Sequence, residues 1–169
     1  MLKINTYMLA SIFLGCISYT GLTYGVDGTI IFTGELGGEC SVASHTATVN
    51  FGKISTTDFP TVGSESELHR FTIGITCTDT DTLPSLTFEG EAESAYFLAF
   101  ANTGGSAEGV AVRLTRNGTT VPPGSKIPLA NVSSVDQPQT FTIGSYLRRT
   151  GDMVKGTIEI PVTFTLSFE

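Results

Sequence analysis

The sequence has no tryptophan, only two histidines and three cysteines, and few charges of either sign. Charged residues make up 15% of its 169 residues, and nine lysines and arginines are outnumbered by 16 aspartates and glutamates. The resulting formal net charge of −7 argues against nucleic acid or an anionic membrane as a partner, because both require a basic surface. With 40% apolar residues and 19 glycines, the composition favours one β-rich globular domain over a disordered chain.

The two histidines give no sign of catalytic or metal chemistry. His45 lies in a polar segment and His69 stands at the start of an alternating stretch, and neither comes with a nucleophile motif or metal-ligand spacing. Glu89, Glu91 and Glu93 alternate, which is typical of a solvated strand face rather than of a catalytic carboxylate pair. We therefore expect no enzymatic activity, no metal and no cofactor.

The apolar stretch near the N-terminus, residues 8–17, is shorter than the roughly 20 residues that a membrane-spanning helix needs. It follows Lys3 and precedes small residues, which is the pattern of an export signal. We expect cleavage after Gly25, with cleavage one residue earlier as the alternative. Residues 1–25 are then a cleaved signal peptide, and Val26 begins the mature chain.

Cysteine parity agrees with this cleavage. Three cysteines are an odd number for an exported protein, and removal of the signal takes Cys16 and leaves Cys40 and Cys77. In an oxidising compartment we expect this pair to form a disulfide, whose loop of about 37 residues contributes about 3–4 kcal/mol in the chain-entropy model. A lipoprotein signal with Cys16 as the modified residue is a weaker alternative, because Phe13 is a poor first residue for its motif.

After the signal, the residue pattern repeats every two positions, which indicates strands with one buried face. The pattern is clearest over residues 158–169, where apolar and polar side chains alternate to the last residue. Pro161 lacks a backbone N–H, so it predicts an edge position or a bulge within this strand. The apolar face carries Ile158, Ile160, Val162, Phe164, Leu166 and Phe168.

Shorter alternating segments and several turn signals complete the mature chain. Asn117-Gly118 predicts a tight hairpin turn, and Pro122-Pro123-Gly124 predicts a loop. About seven short strands in one domain indicate an all-β antiparallel sandwich. The further apolar sets are Ala47, Val49 and Phe51; Phe71, Ile73, Ile75 and Cys77; Leu86 and Phe88; Val110, Val112 and Leu114; and Phe141, Ile143 and Leu147.

Residues 26–36 form one more alternating segment, at the start of the mature chain. Chain termini are usually poorly ordered unless they are tied down, so an apolar strand at this place needs a sheet edge to pair with. From the pattern alone, the segment is either the ordinary first strand of its own domain or a strand meant for another molecule. One of its faces carries Val26, Gly28, Ile30, Phe32 and Gly34.

Four segments, in order along the whole mature chain, resemble the type 1-like fimbrial subunits of the chaperone–usher pathway. Each segment alone is a weak signal, but their order, together with the export signal and the cysteine pair, is specific. The segments are GTIIFTGE at 28–35 with Cys40-Ser41-Val42, FTIGITC at 71–77, GVAVRL at 109–114, and Gly156 with FTLSFE at 164–169.

This resemblance implies an incomplete immunoglobulin-like sandwich that lacks its final strand. Residues 26–36 are then a donor-strand extension and residues 37–169 the pilin domain, which ends directly after its last strand. Gly156 and the apolar face of that last strand, Ile158 to Phe168, are expected to line an acceptor groove left open in a single chain. The donor residues expected to fill the groove of a neighbouring subunit are Val26, Gly28, Ile30, Phe32 and Gly34.

Two positions depart from the family pattern. Phe168 stands where these subunits usually have tyrosine, which keeps the ring and removes the hydroxyl, so packing should survive. The spacing from Gly34 to Cys40 is one residue shorter than usual, which leaves the end of the donor segment open.

The resemblance also implies a function, partners and a location. The chain is expected to be a structural subunit of a bacterial surface fimbria that polymerises by donor-strand exchange and supports cell adhesion. Its partners are then other pilin subunits, a periplasmic chaperone and an outer-membrane usher, along a route through the periplasm to the cell surface. A minor adaptor or adhesive subunit that binds a host receptor through loops such as 102–108 or 133–138 is the alternative. A self-complete periplasmic sandwich, stable without any chaperone, is a third reading.

Overall fold

The computed structural model describes residues 26–35, 40–43, 46–78, 84–129 and 136–168. The predicted signal peptide therefore lies outside the described part of the chain. The described residues are almost entirely strands, as predicted, and no helix among them is long and apolar enough to span a bilayer. The strands are β1 (Val26–Glu35), β2 (Cys40–Val42), β3 (Thr46–Ile54), β4 (His69–Cys77), β5 (Pro84–Glu89), β6 (Ala92–Glu93), β7 (Tyr96–Ala101), β8 (Glu108–Arg116), β9 (Thr119–Val121), β10 (Lys126–Pro128), β11 (Gln139–Val154) and β12 (Ile158–Phe168), with a short 3₁₀ turn at Thr56–Asp58.

The strands form two sheets around a shared apolar core. One sheet has the order β10–β5–β12–β1–β3, and the other runs β2–β4–β11–β8–β7–β6, with β9 paired to β8. Within the described ranges every strand pair is antiparallel except β1 with β12. This arrangement confirms the predicted antiparallel sandwich of immunoglobulin type, with sheets that do not close into a barrel.

The alternation seen in the sequence produces the core. On β12, the apolar residues from Ile158 to Leu166 are at most 5% exposed, whereas Glu159, Pro161 and Thr163 are exposed. The rings of Phe88 and Phe164 lie 6.4 Å apart within one sheet, and Phe88 meets Phe71 of the other sheet edge-on at 6.4 Å. The predicted buried and exposed faces of β12 are therefore confirmed from Ile158 to Leu166, and the side chain of Phe168 lies outside the described residues.

Short sequence motifs correctly predicted a hairpin turn, a local strand edge and the disulfide. Asn117 and Gly118 have φ angles of 50° and 82°, which is the left-handed pair that a tight hairpin between β8 and β9 requires. The ladder between β12 and β5 begins only at Thr163, so at Pro161 the strand is an edge on that side, as predicted. Cys40 and Cys77 face each other in the ladder of β2 and β4 and form the expected disulfide.

The N-terminal strand differs from the prediction that a single chain leaves its groove open. β1 lies inside its own sheet, between β12 and β3, so the chain covers the groove itself. The physical reason is that an uncovered gap would leave the facing edges of β12 and β3 unpaired and their apolar side chains wet. Donation of β1 to another chain would thus be a rearrangement of this structure.

Candidate functional site: the groove between β3 and β12

The groove is the gap between β3 and β12 that β1 occupies. β1 runs parallel to β12, with Gly28 opposite Ile158 and Glu35 opposite Thr165. On its other side it runs antiparallel to β3, with Ile31 opposite Thr48. The two walls of the groove therefore run in opposite directions, and each offers a free edge of backbone N–H and C=O groups when β1 is absent.

Ile30 is buried in the groove. Its side chain is fully buried between walls formed by Val49 and Phe51 of β3 and by Ile158 and Ile160 of β12, all of which belong to the core. Burying an isoleucine side chain is worth about 1.5–3 kcal/mol, so β1 adds apolar stabilisation to its two ladders.

Gly28 lies close to side chains of both walls of the groove. A methyl group at this position would lie 3.3 Å from Cδ2 of Phe51 and 3.6 Å from Cβ of Ile158. A side chain at this position would require Phe51 to shift by a few tenths of an ångström, which gives a steric reason for a glycine in the strand.

The first residues of β12 are held by a loop rather than by a strand. Asn102 donates from Nδ2 to the carbonyl oxygen of Thr157 at 3.1 Å, and its Oδ1 accepts the backbone N–H of Glu159 at 2.7 Å. Gly156 passes so close to Ser106 and Ala107 that any side chain on it would clash with their backbone. The loop 102–107 thus replaces β5 as the neighbour of β12 before Thr163, and it fixes one end of the groove.

The loop 102–108, which the sequence offers as an alternative adhesive surface, holds β12 and keeps Thr103, Ser106 and Glu108 exposed. The loop is committed to β12, with further bonds from the N–H groups of Gly104 and Ala107 to the carbonyl oxygens of Glu159 and Thr157. Of the second suggested loop, 133–138, the structure describes residues 136–138. Asn102 was missed because its sequence neighbourhood, Asn-Thr-Gly-Gly, has the composition of an ordinary exposed turn.

An open cavity extends the groove at the same end. It has a volume of about 460 Å³ and adjoins Ile54, the residue opposite Val26, and Ile158. Its lining is mostly apolar, with Lys53 and Lys155 on the two sides of the gap that β1 enters.

The residues considered for catalysis are not brought together. His69 packs its ring against Phe51 at 4.8 Å, and His45 lies outside the described residues. Glu93 accepts hydrogen bonds from the hydroxyl of Ser94 and the N–H of Ala95, as a turn residue does. Within the described ranges no group of three potential metal ligands occurs.

A charged cluster on the outer face of the other sheet was also missed. Glu65 accepts from Arg113 at 2.6 and 2.7 Å and from Arg148 at 2.8 Å, while each guanidinium lies over a tyrosine ring. The hydrogen bond from Arg113 is the main cause of a lowered pKa for Glu65, which burial partly opposes and Arg148 reinforces. The cluster ties the segment that crosses this sheet to β8 and β11, and it is remote from the groove.

Comparisons with known proteins bear on this fold. A family model described as fimbrial protein matches residues 26–169. The chain is 28% identical over 171 residues to the S-fimbrial adhesin protein SfaS of Escherichia coli O6:K15:H31 (strain 536 / UPEC), covering 99% of each chain. Among solved structures, the P pilus rod subunit PapA is 17% identical with a TM-score of 0.65, over 78% of this chain and 100% of that one. A subunit of a chaperone–usher pilus is 17% identical with a TM-score of 0.64, over 100% of both chains.

Proposed function

Because this chain belongs to the fimbrial protein family, it is a structural pilus subunit, and we propose that it polymerises by exchanging its N-terminal strand. In this exchange β1 leaves its own groove and enters the groove of a neighbouring subunit. One observation carries the proposal: the strand between β3 and β12 is the first described strand of the chain. Once residues 1–25 are removed, as proposed, it is joined to the domain at one end only. Such a strand can be withdrawn without breaking the order of the other strands.

The energetics favour exchange over simple loss of the strand. Withdrawal exposes two sheet edges and the site of Ile30, which is costly in water. A strand from a second chain restores both ladders and the buried side chain. Each donor then presents its own empty groove to the next, so the contact is head-to-tail and does not close on itself. An open linear fibre follows from this geometry.

The same groove supports the proposed partners. Before assembly, an empty groove is an aggregation hazard, so a periplasmic chaperone that lends a strand and an outer-membrane usher that passes subunits on are the expected partners. Membership of this family supports a location in a pilus at the cell surface. We propose that the chain is exported through the periplasm, that residues 1–25 are removed, and that the mature chain is displayed in the fimbrium. The role is structural rather than enzymatic.

The test is assembly of the mature chain, from residue 26, expressed with and without a cognate chaperone. We expect a chaperone-bound subunit that forms fibres, visible by electron microscopy, once the chaperone is exchanged away. Gly34→Leu should abolish fibre formation and leave the subunit able to bind the chaperone. A mature chain that stays monomeric under all these conditions, with β1 protected in its own sheet, would contradict the proposal and favour the self-complete sandwich.

An adhesive role is a second candidate, favoured by the likeness to a protein named as a fimbrial adhesin. A glycan array probed with a subunit whose groove is filled by an added donor peptide would test it. Binding to a defined glycan would support an adhesive subunit, and binding only by assembled fibres or not at all would leave the structural role alone.

A further inference from the structure

The hairpin formed by β6 and β7 carries an exposed aromatic ring. Phe97 is 72% exposed, which is more than any other large hydrophobic side chain in the described part of the chain. The hairpin itself is held in place, because the ring centroid of Tyr96 lies 4.2 Å from the guanidinium carbon of Arg148. Phe97 is therefore presented to solvent by an ordered strand.

The surroundings of Phe97 are acidic. Glu89, Glu91 and Glu93 precede it, and residues 89–97 contain no lysine, arginine or histidine. Glu89 and Glu91 are exposed, and Glu93 is half-buried. Single exposed apolar side chains are common on proteins and need no explanation, but a ring together with three carboxylates makes a distinctive surface. We call residues 89–97 the acidic hairpin.

A cavity between β9 and β10 has the opposite charge. Its volume is about 470 Å³, which is large enough to hold an aromatic side chain. Arg116 and Lys126 line it, and among the residues that the structure describes no carboxylate does. The remainder of its lining includes Thr119, Pro122, Ile127 and Pro128.

Arg116 connects the two walls of this cavity. Its Nη1 donates to the carbonyl oxygen of Pro128 at 2.6 Å, and its guanidinium carbon lies 5.6 Å from the ring centroid of Phe141. Because β9 is paired in one sheet and β10 in the other, this hydrogen bond joins the sheets at the cavity. The cavity is therefore already formed in the single chain, and a ligand does not have to open it.

We propose that the acidic hairpin of one chain binds in this cavity of a second copy of the chain. Phe97 then lies among the apolar residues of the lining, and its neighbouring carboxylates lie beside Arg116 and Lys126. An aromatic side chain that fills a pocket, with charged groups at the rim, is typical of specific protein interfaces. The opposite charges of the two surfaces favour and orient this contact.

A second copy is the partner because both complementary surfaces belong to the same chain. Each copy carries one acidic hairpin and one cavity, so the contact can be repeated from copy to copy. Neither surface includes residues of β1, β3 or β12, so the groove stays accessible. The inference thus goes beyond strand exchange and does not depend on it: it joins subunits side by side.

The first test is made on a chain that cannot exchange its strand. Ile31→Cys with Thr48→Cys should lock β1 in its own sheet through a disulfide, because the two residues face each other in the ladder of β1 and β3. Sedimentation equilibrium of this locked mature chain should show reversible self-association. Phe97→Ser should weaken the association by about 30-fold, as expected for an aromatic residue at the centre of an interface.

Val62→Ser in the locked chain is the matched control. Val62 is 62% exposed and belongs to neither surface, so its replacement should leave self-association unchanged. Both variants should unfold at the same urea concentration as the locked chain, because both side chains are exposed. A locked chain that stays monomeric, or equal association of the two variants, would overturn the inference and leave strand exchange intact.

Charge reversal tests which surfaces meet. In the locked chain, Glu91→Lys and Lys126→Glu should each weaken self-association by about tenfold, because like charges then face each other. An equal mixture of the two variants should associate again, since each hairpin then finds a cavity of opposite charge, and added salt should weaken this association. A mixture that associates no better than the separate variants would overturn the pairing of the acidic hairpin with this cavity.

Discussion

β1 and β12 are neighbours in one sheet with the same apolar alternation, yet the structure holds them in different ways. β12 is paired with β1 on one side and is held on the other by β5 and the loop 102–107. β1 has two ladders and the buried Ile30, and it is the first described strand of the chain. The comparison teaches that an apolar pattern shows which face is buried and not whether the strand is a permanent part of its domain.

The largest expected effect belongs to the wall of the groove. Phe164→Ala should lower the free energy of unfolding by about 3–5 kcal/mol, because Phe164 is buried and packs on Phe88. Urea unfolding followed by circular dichroism measures the loss. An added peptide of residues 26–36 should not restore stability, since the wall itself is damaged. Full restoration of stability by the peptide would show that β12 is no more a permanent part of the domain than β1.

Ile30→Ala tests the filler of the groove in the same way. We expect a loss of about 2–3 kcal/mol, from the cavity that a truncated, fully buried side chain leaves. Unlike the loss at Phe164, this one should be recovered when wild-type peptide 26–36 replaces the variant strand. Ile31→Ala, on the exposed face of the same strand, is the matched control and should change stability little. Absence of rescue would mean that β1 is as permanent as β12.

Asn102→Ala should loosen the beginning of β12. The backbone N–H of Glu159 loses its side-chain acceptor, at a cost of about 1–3 kcal/mol, while the carbonyl oxygen of Thr157 keeps the N–H of Ala107. Amide exchange at Glu159 should speed up more than at Leu166, which lies where β5 pairs with β12. Thr103→Ala, an exposed neighbour, is the control. Equal protection at Glu159 in both variants would remove Asn102 from this role.

Glu65→Gln gives the smallest effect and serves as a contrast on the other sheet. The ionised carboxylate of Glu65 is the stabilising form, and it adds about 1 kcal/mol to the free energy of unfolding. This stabilisation is complete above the ordinary carboxyl pKa of about 4.3, and it is lost as the pH falls through the lowered pKa of the folded state. The difference in unfolding free energy between wild type and variant should therefore shrink in acid. Peptide exchange into the groove should be unaffected at neutral pH, and a slowed exchange would link the cluster to the groove.

Local and long-range features differ in how far the sequence could predict them. The faces of β12, the Asn117-Gly118 hairpin and the edge at Pro161 depend on residues close in sequence, and all three were predicted correctly. The Cys40–Cys77 disulfide was predicted because the expected removal of the signal peptide leaves a single pair of cysteines.

The features that sequence reasoning missed depend on partners far apart in the chain. Asn102 bonds to residues more than 50 positions away, and Glu65 bonds to Arg113 and Arg148 across 48 and 83 positions. The alternation of apolar and polar residues within a short segment does not indicate contacts between such distant positions. The placement of β1 in its own sheet could not be decided either, because the same alternation suits its own groove and an identical groove in another chain.

The most direct test of strand exchange is native mass spectrometry of the mature chain incubated with an isotope-labelled peptide of residues 26–36. We expect a stable one-to-one adduct in which the chain's own first residues become sensitive to protease while the rest of the domain stays protected. The proposed exchange would be contradicted if the chain took up no peptide. In that case residues 26–35 would stay protected from protease even under conditions that separate β1 from β3 and β12.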